Sequence, residues 1–183
     1  MIAAPPFAGV LRPSIFLGFS ENLTPGVYSF TPQSRAPGAT KVRFRGTAGG
    51  GGAGQTGTPG QSGGGGGGGY FDTGVLNLAP ADLTTTISIT VGAGGAVEVN
   101  GGDTTVVAAF VSALNAYAQG GRRGLDGTGG AGGTASGGAI NTPGDPGLNA
   151  VFEPPWAFGP PGSPNGGGNA SAGGNGSLLI DWT

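Results

Sequence analysis

The sequence predicts a mainly β protein. Short antiparallel strands alternate in it with glycine-rich helices or loops of the polyglycine II type, which pack together and are completed by association of identical chains. Glycine recurs at every third residue from Gly51 to Gly69, and a polyproline II helix has about three residues per turn, so one edge of it is bare backbone. Between the glycine tracts lie short runs of alternating apolar and polar residues, bounded by proline and glycine turns, a pattern typical of strands.

The three-residue glycine register occurs in three parts of the chain. The first tract contains Gly51, Gly54, Gly57, Gly60, Gly63, Gly66 and Gly69. The second contains Gly121, Gly124, Gly127, Gly130 and Gly133. The third is looser and contains Gly167, Ala170, Gly173 and Gly176. Because bare edges allow helices to touch, three such tracts indicate a stack of glycine helices.

Composition sets two opposing expectations for the order of the chain. Its 183 residues include 45 glycines and 15 prolines, a bias that is common in low-complexity or disordered sequences. There are, however, only seven basic and nine acidic residues, and the mean hydropathy is +0.04, whereas disordered chains are usually rich in charge. We therefore expect a compact protein in which backbone hydrogen bonds replace part of a conventional core.

Several functional classes are disfavoured by residues that the chain lacks. It has no cysteine and no histidine, which removes disulfides and most nucleophilic, general-base and metal sites. We expect no enzyme activity, no metal and no cofactor.

Charge and apolar run length disfavour two further classes of partner. The net charge of −2 gives no general attraction to nucleic acid. The apolar runs are far shorter than the roughly 20 residues that span a bilayer, so no membrane-embedded segment is expected, and residues 1–20 lack the basic start of a secretory signal.

Strands are expected where apolar and polar residues alternate. The predicted strands cover residues 27–31, 40–45, 70–71, 75–78, 84–91 and 177–182. In the second of these, Val42 and Phe44 lie on one face and basic residues on the other. Leu178, Ile180 and Trp182 lie on one face of the last strand. A basic strand face suits an acidic partner, but it is more typical of a solvated surface.

Residues 104–118 are ambiguous between a helix and strands. A helical stripe would contain Val107, Phe110 or Val111, Leu114 and Tyr117, and Gly120 would follow the helix end. The β-branched start at residues 104–107 favours a strand instead. We rank two successive strands above one short helix.

The chain divides into residues 1–23, an N-terminal docking arm, and residues 24–183, a glycine-rich β domain. The arm mixes prolines with apolar side chains and shows no clear period. The apolar residues expected to make its contacts are Phe7, Leu11, Ile15, Phe16 and Phe19. The alternative is that this segment is simply a frayed terminus.

The candidate contact residues are aromatic and basic side chains near glycine turns. Exposed aromatic rings in such places can stack on sugars, or they can cap glycine helices or fill a subunit interface. The candidates are Tyr70, Phe71, Arg122, Arg123, Phe152, Trp156 and Phe158. Trp156 is the strongest of them because its PPWAFGPP surroundings indicate an exposed loop.

The order of motifs resembles a known family. PGVYSF at 25–30 precedes a basic strand that runs into glycine, followed by GGGGGGGYF at 63–71 and ISITVGAGG at 87–95. The chain ends in GGNGSLLIDW at 173–182. Over roughly residues 24–183 this order is similar to that of the glycine-rich domain of bacteriophage tail-fibre and related virion proteins. The resemblance also favours a strand at residues 104–107.

The resemblance implies a virion structural protein of tail-fibre or tail-tip type, exposed on the particle, homotrimeric, and attached to a receptor on the host cell. The receptor would be a surface polysaccharide or an outer-membrane protein, and the arm would contact other virion proteins. Two features depart from the family: the proline-rich excursion at 142–164 and a length too short for a fibre shaft. Two alternatives stay open, an architectural capsid or tail decoration protein without receptor binding and, more remotely, an ice-binding protein built from glycine helices.

Overall fold

The computed structural model describes residues 18–54, 63–125, 127–149 and 172–183. Within these ranges the protein is mainly β, with two antiparallel sheets and one short α-helix. The elements in chain order are β1 Phe19–Leu23, β2 Gly26–Phe30, α1 Pro32–Arg35, β3 Lys41–Thr47, β4 Tyr70–Asp72, β5 Leu76–Asn77, a 3₁₀ turn at Pro80–Thr84, β6 Ile87–Val91, β7 Thr104–Ala108, β8 Leu114–Ala118, β9 Ala135–Ser136, β10 Ile140–Thr142 and β11 Ser177–Trp182.

The two sheets form a sandwich. Sheet 1 has the order β1-β11-β3-β4-β10, with β5 also paired to β3, and sheet 2 has the order β2-β6-β7-β8-β9. The prediction of two strands within residues 104–118 is confirmed, since β7 and β8 pair antiparallel with Thr104 opposite Ala118. The β-branched residues at the start of this segment suit a pleated sheet better than a helix.

The inner faces of the sheets enclose a core that matches the predicted alternation. Val42 and Phe44 of β3 are buried, as are Leu178, Ile180 and Trp182 of β11. Sheet 2 contributes buried side chains from β6, β7 and β8. One chain thus encloses a hydrophobic core by itself.

Two of the three basic side chains on the outward face of β3 are paired with carboxylates, and the third, Lys41, is exposed. The Arg43 guanidinium binds the Asp72 carboxylate on β4 through two nitrogens, with an Nε to Oδ1 distance of 2.9 Å. Arg45 Nη2 lies 2.7 Å from Asp181 Oδ2 on β11. These cross-strand pairs fix the two arginine side chains, so Lys41 is the basic residue of this face that has no ion pair in the described ranges.

Asp72→Asn is expected to lower the free energy of unfolding at pH 7 by about 2 kcal/mol. The hydrogen bond from Arg43 lowers the pKa of the Asp72 carboxyl below its usual 3.8, and the Gly74 amide adds to this effect. A lowered folded-state pKa gives stability that is present above the unfolded-state pKa and is lost as pH falls through the folded-state pKa. Urea unfolding at pH 7 and at pH 3 should show that the difference in stability between the two proteins shrinks in acid.

Asp145→Asn is the control, because Asp145 is an exposed carboxylate without an ion pair in the described ranges. It should show no pH-dependent loss of stability. An equal loss for Asp72→Asn at both pH values would contradict the role of the ionised carboxylate.

Seven glycine-rich segments extend from one end of the sandwich, and we call them together the glycine bundle. They are residues 48–54, 63–69, 92–102, 119–125, 128–134, 143–149 and 172–176. Each of them continues a strand or leads into one, so the sheets and the bundle share their chain directions. Backbone hydrogen bonds join the described parts of all three glycine tracts, for example from Gly66 to Arg122 and from Gly50 to Gly174, so the tracts pack together as expected.

Segment 63–69 lies at the centre of the glycine bundle, and its backbone hydrogen bonds repeat every three residues. The amides of Gly63, Gly66 and Gly69 donate to segment 119–125 at 3.1, 2.8 and 2.9 Å. The carbonyls of the same three glycines accept from segment 48–54 at 3.0, 2.8 and 3.0 Å. Gly64 and Gly67 bond to segments 128–134 and 143–149. Four neighbours thus surround one segment, held by main-chain atoms alone.

The bundle leaves no room for side chains at its centre. A Cβ added to Gly65 would lie 2.0 Å from the carbonyl oxygen of Gly51, and one added to Gly68 would lie 2.2 Å from that of Ala48. Real Cβ atoms do not approach backbone oxygens so closely. Close backbone approach explains why glycine is required here.

The structure corrects the sequence analysis at several elements. Residues 19–23, assigned to the docking arm, form edge strand β1 and pair with β11, so the arm comprises at most residues 1–18. The strand expected at 84–91 begins at Ile87, because Pro80–Thr84 forms a 3₁₀ turn. Helix α1 was not predicted. It begins after Thr31, whose hydroxyl oxygen accepts from the amide of Ser34 at 3.2 Å.

In the described ranges no helix is long and apolar enough to cross a membrane.

Candidate functional site

We call the end of the glycine bundle furthest from the sandwich the distal tip. The turn at residues 96–99 lies there, as do the described residues that border residues 55–62, 126 and 150–171, which are themselves outside the described residues. Among the described residues of the distal tip, six line a common hollow: Gly54, Glu98, Arg123, Gly124, Leu125 and Thr128. Loops gathered at one end of a hydrogen-bonded scaffold are a frequent arrangement at binding sites.

The described chain ends lie at the opposite end of the molecule. Phe19 of β1 is paired with Trp182 of β11, and the amide of Thr183 donates to the carbonyl of Lys41 at 3.1 Å. Between this end and the distal tip lie the sandwich and the segments of the glycine bundle. The distal tip and the described chain ends are therefore at opposite ends of the molecule.

The turn at residues 96–99 shapes one side of the distal tip. The amide of Val99 donates to the carbonyl of Ala96 at 2.9 Å, and Glu98 has a φ of 64°. This left-handed conformation is uncommon for a residue with a side chain. The amide of Glu98 donates to Ala53 at 2.8 Å, and its carbonyl accepts from Arg123 Nη1 at 3.0 Å. These bonds fix the turn and place the carboxylate at the tip.

A hollow of about 410 Å³ lies between this turn and the neighbouring 125–128 turn. Its wall combines backbone atoms of Gly54 and Gly124 with an acidic, a basic and an apolar side chain, those of Glu98, Arg123 and Leu125. Leu125 and Thr128 exchange backbone hydrogen bonds at 2.9 and 3.1 Å, which closes the second turn. Such a mixed surface suits recognition of a polar partner, and no cluster of carboxylates that could hold a metal occurs among the described residues.

The structure separates the predicted contact residues. Arg123 lies at the distal tip and Arg122 on the flank of the bundle. Tyr70 is half-buried at the base of the bundle, a full segment away from the tip. Phe71 is completely buried in the core, so the expectation that it is exposed is wrong. Neighbouring side chains of a strand point to opposite faces, and in β4 Phe71 rather than Tyr70 faces the core.

The remaining predicted contacts cannot be placed in the same way. Phe152, Trp156 and Phe158 lie outside the described residues, as do Phe7, Leu11, Ile15 and Phe16 of the arm. Phe19 belongs to β1. The sequence analysis also missed Glu98, Leu125 and Thr128. Residues 96–99 contain no glycine or proline, so the usual signals of a turn were absent.

A family model described as a glycine-rich domain matches residues 24–179. The chain belongs to this family of glycine-rich domains. The matched range of the glycine-rich domain begins before β2 and ends within β11, so it includes the glycine bundle and excludes β1. The chain has no significant match among curated proteins.

Proposed function

We propose that this glycine-rich domain is a bacteriophage virion structural protein of tail-fibre or tail-tip type, and that its distal tip attaches the particle to a host-cell receptor. The observation that supports the proposal most is the opposition of the two ends. The described turn at residues 96–99 lies at the distal tip, whereas β1, which follows residues 1–18, enters at the other end. Residues 1–18 would contact other virion proteins, and the receptor would be a surface polysaccharide or an outer-membrane protein.

The proposal includes a polyglycine II conformation for the segments of the bundle. The three-residue spacing of their hydrogen bonds supports it, because a helix with three residues per turn presents the same edge at every third residue. Such helices, bonded to several neighbours, would hold the loops rigidly. Rigid presentation lowers the entropy lost on binding.

The proposal also includes a homotrimer on the particle. A single chain encloses its own core, so the trimer would form through outer surfaces. The outward residues of β2, β6 and β7 are uncharged and include Val27 and Val107, which are exposed. An uncharged sheet face suits contact with further copies of the chain. Light scattering should then give three times the monomer mass of 17.4 kDa.

The function is tested by competition for adsorption. Host cells incubated with saturating purified protein should adsorb fewer phage particles, because occupied receptors are no longer accessible. Many weak copies on a particle gain affinity together, so a trimer should compete better than a monomer. Unchanged adsorption at saturation would contradict receptor binding and favour the architectural role.

Two variants with matched exposure localise the binding surface. Leu125 at the distal tip is 54% exposed, and Ile140 in the sandwich is 55% exposed. Leu125→Ser should weaken cell binding about tenfold or more if the side chain is a buried contact in the complex. Ile140→Ser should leave cell binding unchanged. Equal effects of both substitutions would remove the distal tip as the receptor-binding surface.

A further inference from the structure

A second surface carries polar side chains that the distal tip does not use. A hollow of about 270 Å³ lies where sheet 2 meets the glycine bundle, and we call it the flank groove. Residues 100–103 around the start of β7 and residues 119, 120 and 122 after β8 supply its lining. Its polar side chains are those of Asn100, Asp103, Gln119 and Arg122.

The carboxylate of Asp103 is held in a fixed orientation. Its Oδ2 accepts from the Tyr117 hydroxyl at 2.9 Å, and its Oδ1 accepts from the Gly120 amide at 2.8 Å. Desolvation by burial raises the pKa of Tyr117, and the bond to Asp103 raises it further. Tyr117 therefore stays protonated and continues to donate, and the carboxylate keeps lone pairs for a hydroxyl group of a ligand.

The two amide side chains of the groove are engaged through their oxygens. Asn100 Oδ1 accepts from the backbone amide of Arg123 at 2.9 Å. Gln119 Oε1 accepts from the Thr134 hydroxyl at 3.2 Å. Both bonds leave the NH₂ groups, which are donors, unused. Within the described ranges these NH₂ groups and the Arg122 guanidinium have no hydrogen-bond partner.

The groove thus offers an excess of free donors and one oriented carboxylate. We propose that it binds a sugar residue that carries a carboxylate group, such as a uronic acid. Arg122 would pair with the carboxylate of the sugar, the amides of Asn100 and Gln119 would donate to its oxygens, and Asp103 would accept from a hydroxyl.

Charge and size favour this ligand over other anions. Asp103 and Arg122 together make the groove neutral, so a dianionic phosphate would meet repulsion from Asp103 that a monoanion meets less. A guanidinium can pair bidentately with a carboxylate or with a phosphate, so the preference between them rests on charge. The volume of about 270 Å³ is just below the usual range of small-molecule sites, which begins at about 300 Å³, and suits a single sugar residue. This inference does not depend on the proposed attachment function.

The test is a titration of the full chain with glucuronate, followed by NMR. The side-chain NH₂ signals of Asn100 and Gln119 should shift on binding, whereas those of Asn141 in β10 should not. Glucose, which lacks the carboxylate, should bind at least about tenfold more weakly, since a charge-assisted hydrogen bond is lost. Inorganic phosphate should not displace glucuronate.

Two exposed basic residues provide the matched variants. Arg122→Gln should weaken glucuronate binding about tenfold or more, whereas Lys41→Gln, in β3 at the opposite end of the sandwich, should have less than about a twofold effect. Both side chains are exposed, so the fold should tolerate either change. The proposal is overturned if glucose binds as tightly as glucuronate, if Arg122→Gln binds normally, or if the Asn100 and Gln119 signals do not move at the solubility limit of the sugar. Equal binding of phosphate would overturn it in favour of a general anion site.

Discussion

Gly65→Ala is expected to destabilise the protein by about 3 kcal/mol or more. The added Cβ would lie 2.0 Å from the Gly51 carbonyl oxygen and 2.4 Å from its carbon, so segments 48–54 and 63–69 must separate. Overpacking alone costs about 1–3 kcal/mol, and separation lengthens neighbouring hydrogen bonds such as Gly51 to Gly66, 2.8 Å, each worth roughly 1 kcal/mol. Urea unfolding followed by circular dichroism measures the loss.

Gly127→Asn is the control for this substitution. Gly127 has a φ of 71°, and a Cβ built there meets nothing within 4 Å. Asparagine adopts this conformation more readily than most residues, so the expected loss is below about 1 kcal/mol. If Gly65→Ala were as stable as Gly127→Asn, the close contact between the two central segments would be wrong.

Trp182→Ala is expected to cost about 3–5 kcal/mol. Trp182 is fully buried, and it is the largest of the fully buried side chains. Its ring lies 6.2 Å from that of Phe30, centroid to centroid, and its Nε1 donates to Glu21 Oε1 at 3.0 Å. Alanine would leave a cavity between the sheets and remove a partner of Glu21. The midpoint of urea unfolding reports the change.

Trp182→Phe separates packing from hydrogen bonding. Phenylalanine keeps most of the apolar volume but lacks the indole N–H, and Glu21 retains its bond from Arg35 Nε at 2.8 Å. The expected loss is about 1–2 kcal/mol. A loss as large as that of alanine would place the main contribution of Trp182 in its bond to Glu21 rather than in the core.

The sandwich was largely predictable because its strands carry an alternating pattern. β3, β6 and β11 place every second side chain in the core, and the β-branched residues of β7 identify it as a strand. β1 escaped prediction since only Leu23 of its five residues is buried, which is usual for an edge strand. β9 and β10 are too short, at two and three residues, to show a period.

The pairing within the bundle could not be predicted from the sequence. A glycine tract has a period but no distinctive side chains, so nothing in it specifies which segment is its neighbour or in which register. The absence of side chains also explains why Phe71 was wrongly expected to be exposed. Residues 63–69 are all glycine, so their sequence does not indicate which face of β4 points inward. At the distal tip, the turn with Glu98 in the left-handed conformation contains no glycine between residues 96 and 99, so the sequence did not indicate a turn there. Arg122 and Arg123 were candidates from the sequence, and their placement on two different surfaces required the structure.

The bundle also bears on how this protein can change over generations. Its segments are joined by main-chain atoms, and a main-chain hydrogen bond has nearly the same strength whatever side chains its residues carry. The connecting loops can therefore change in sequence, and even in length, at little thermodynamic cost, since each doubling of loop length costs only about 0.6 kcal/mol. Selection could then vary one end of the molecule independently of the other. Exchange of residues 55–62 for an unrelated loop of similar length should leave the fold intact and supply a new surface.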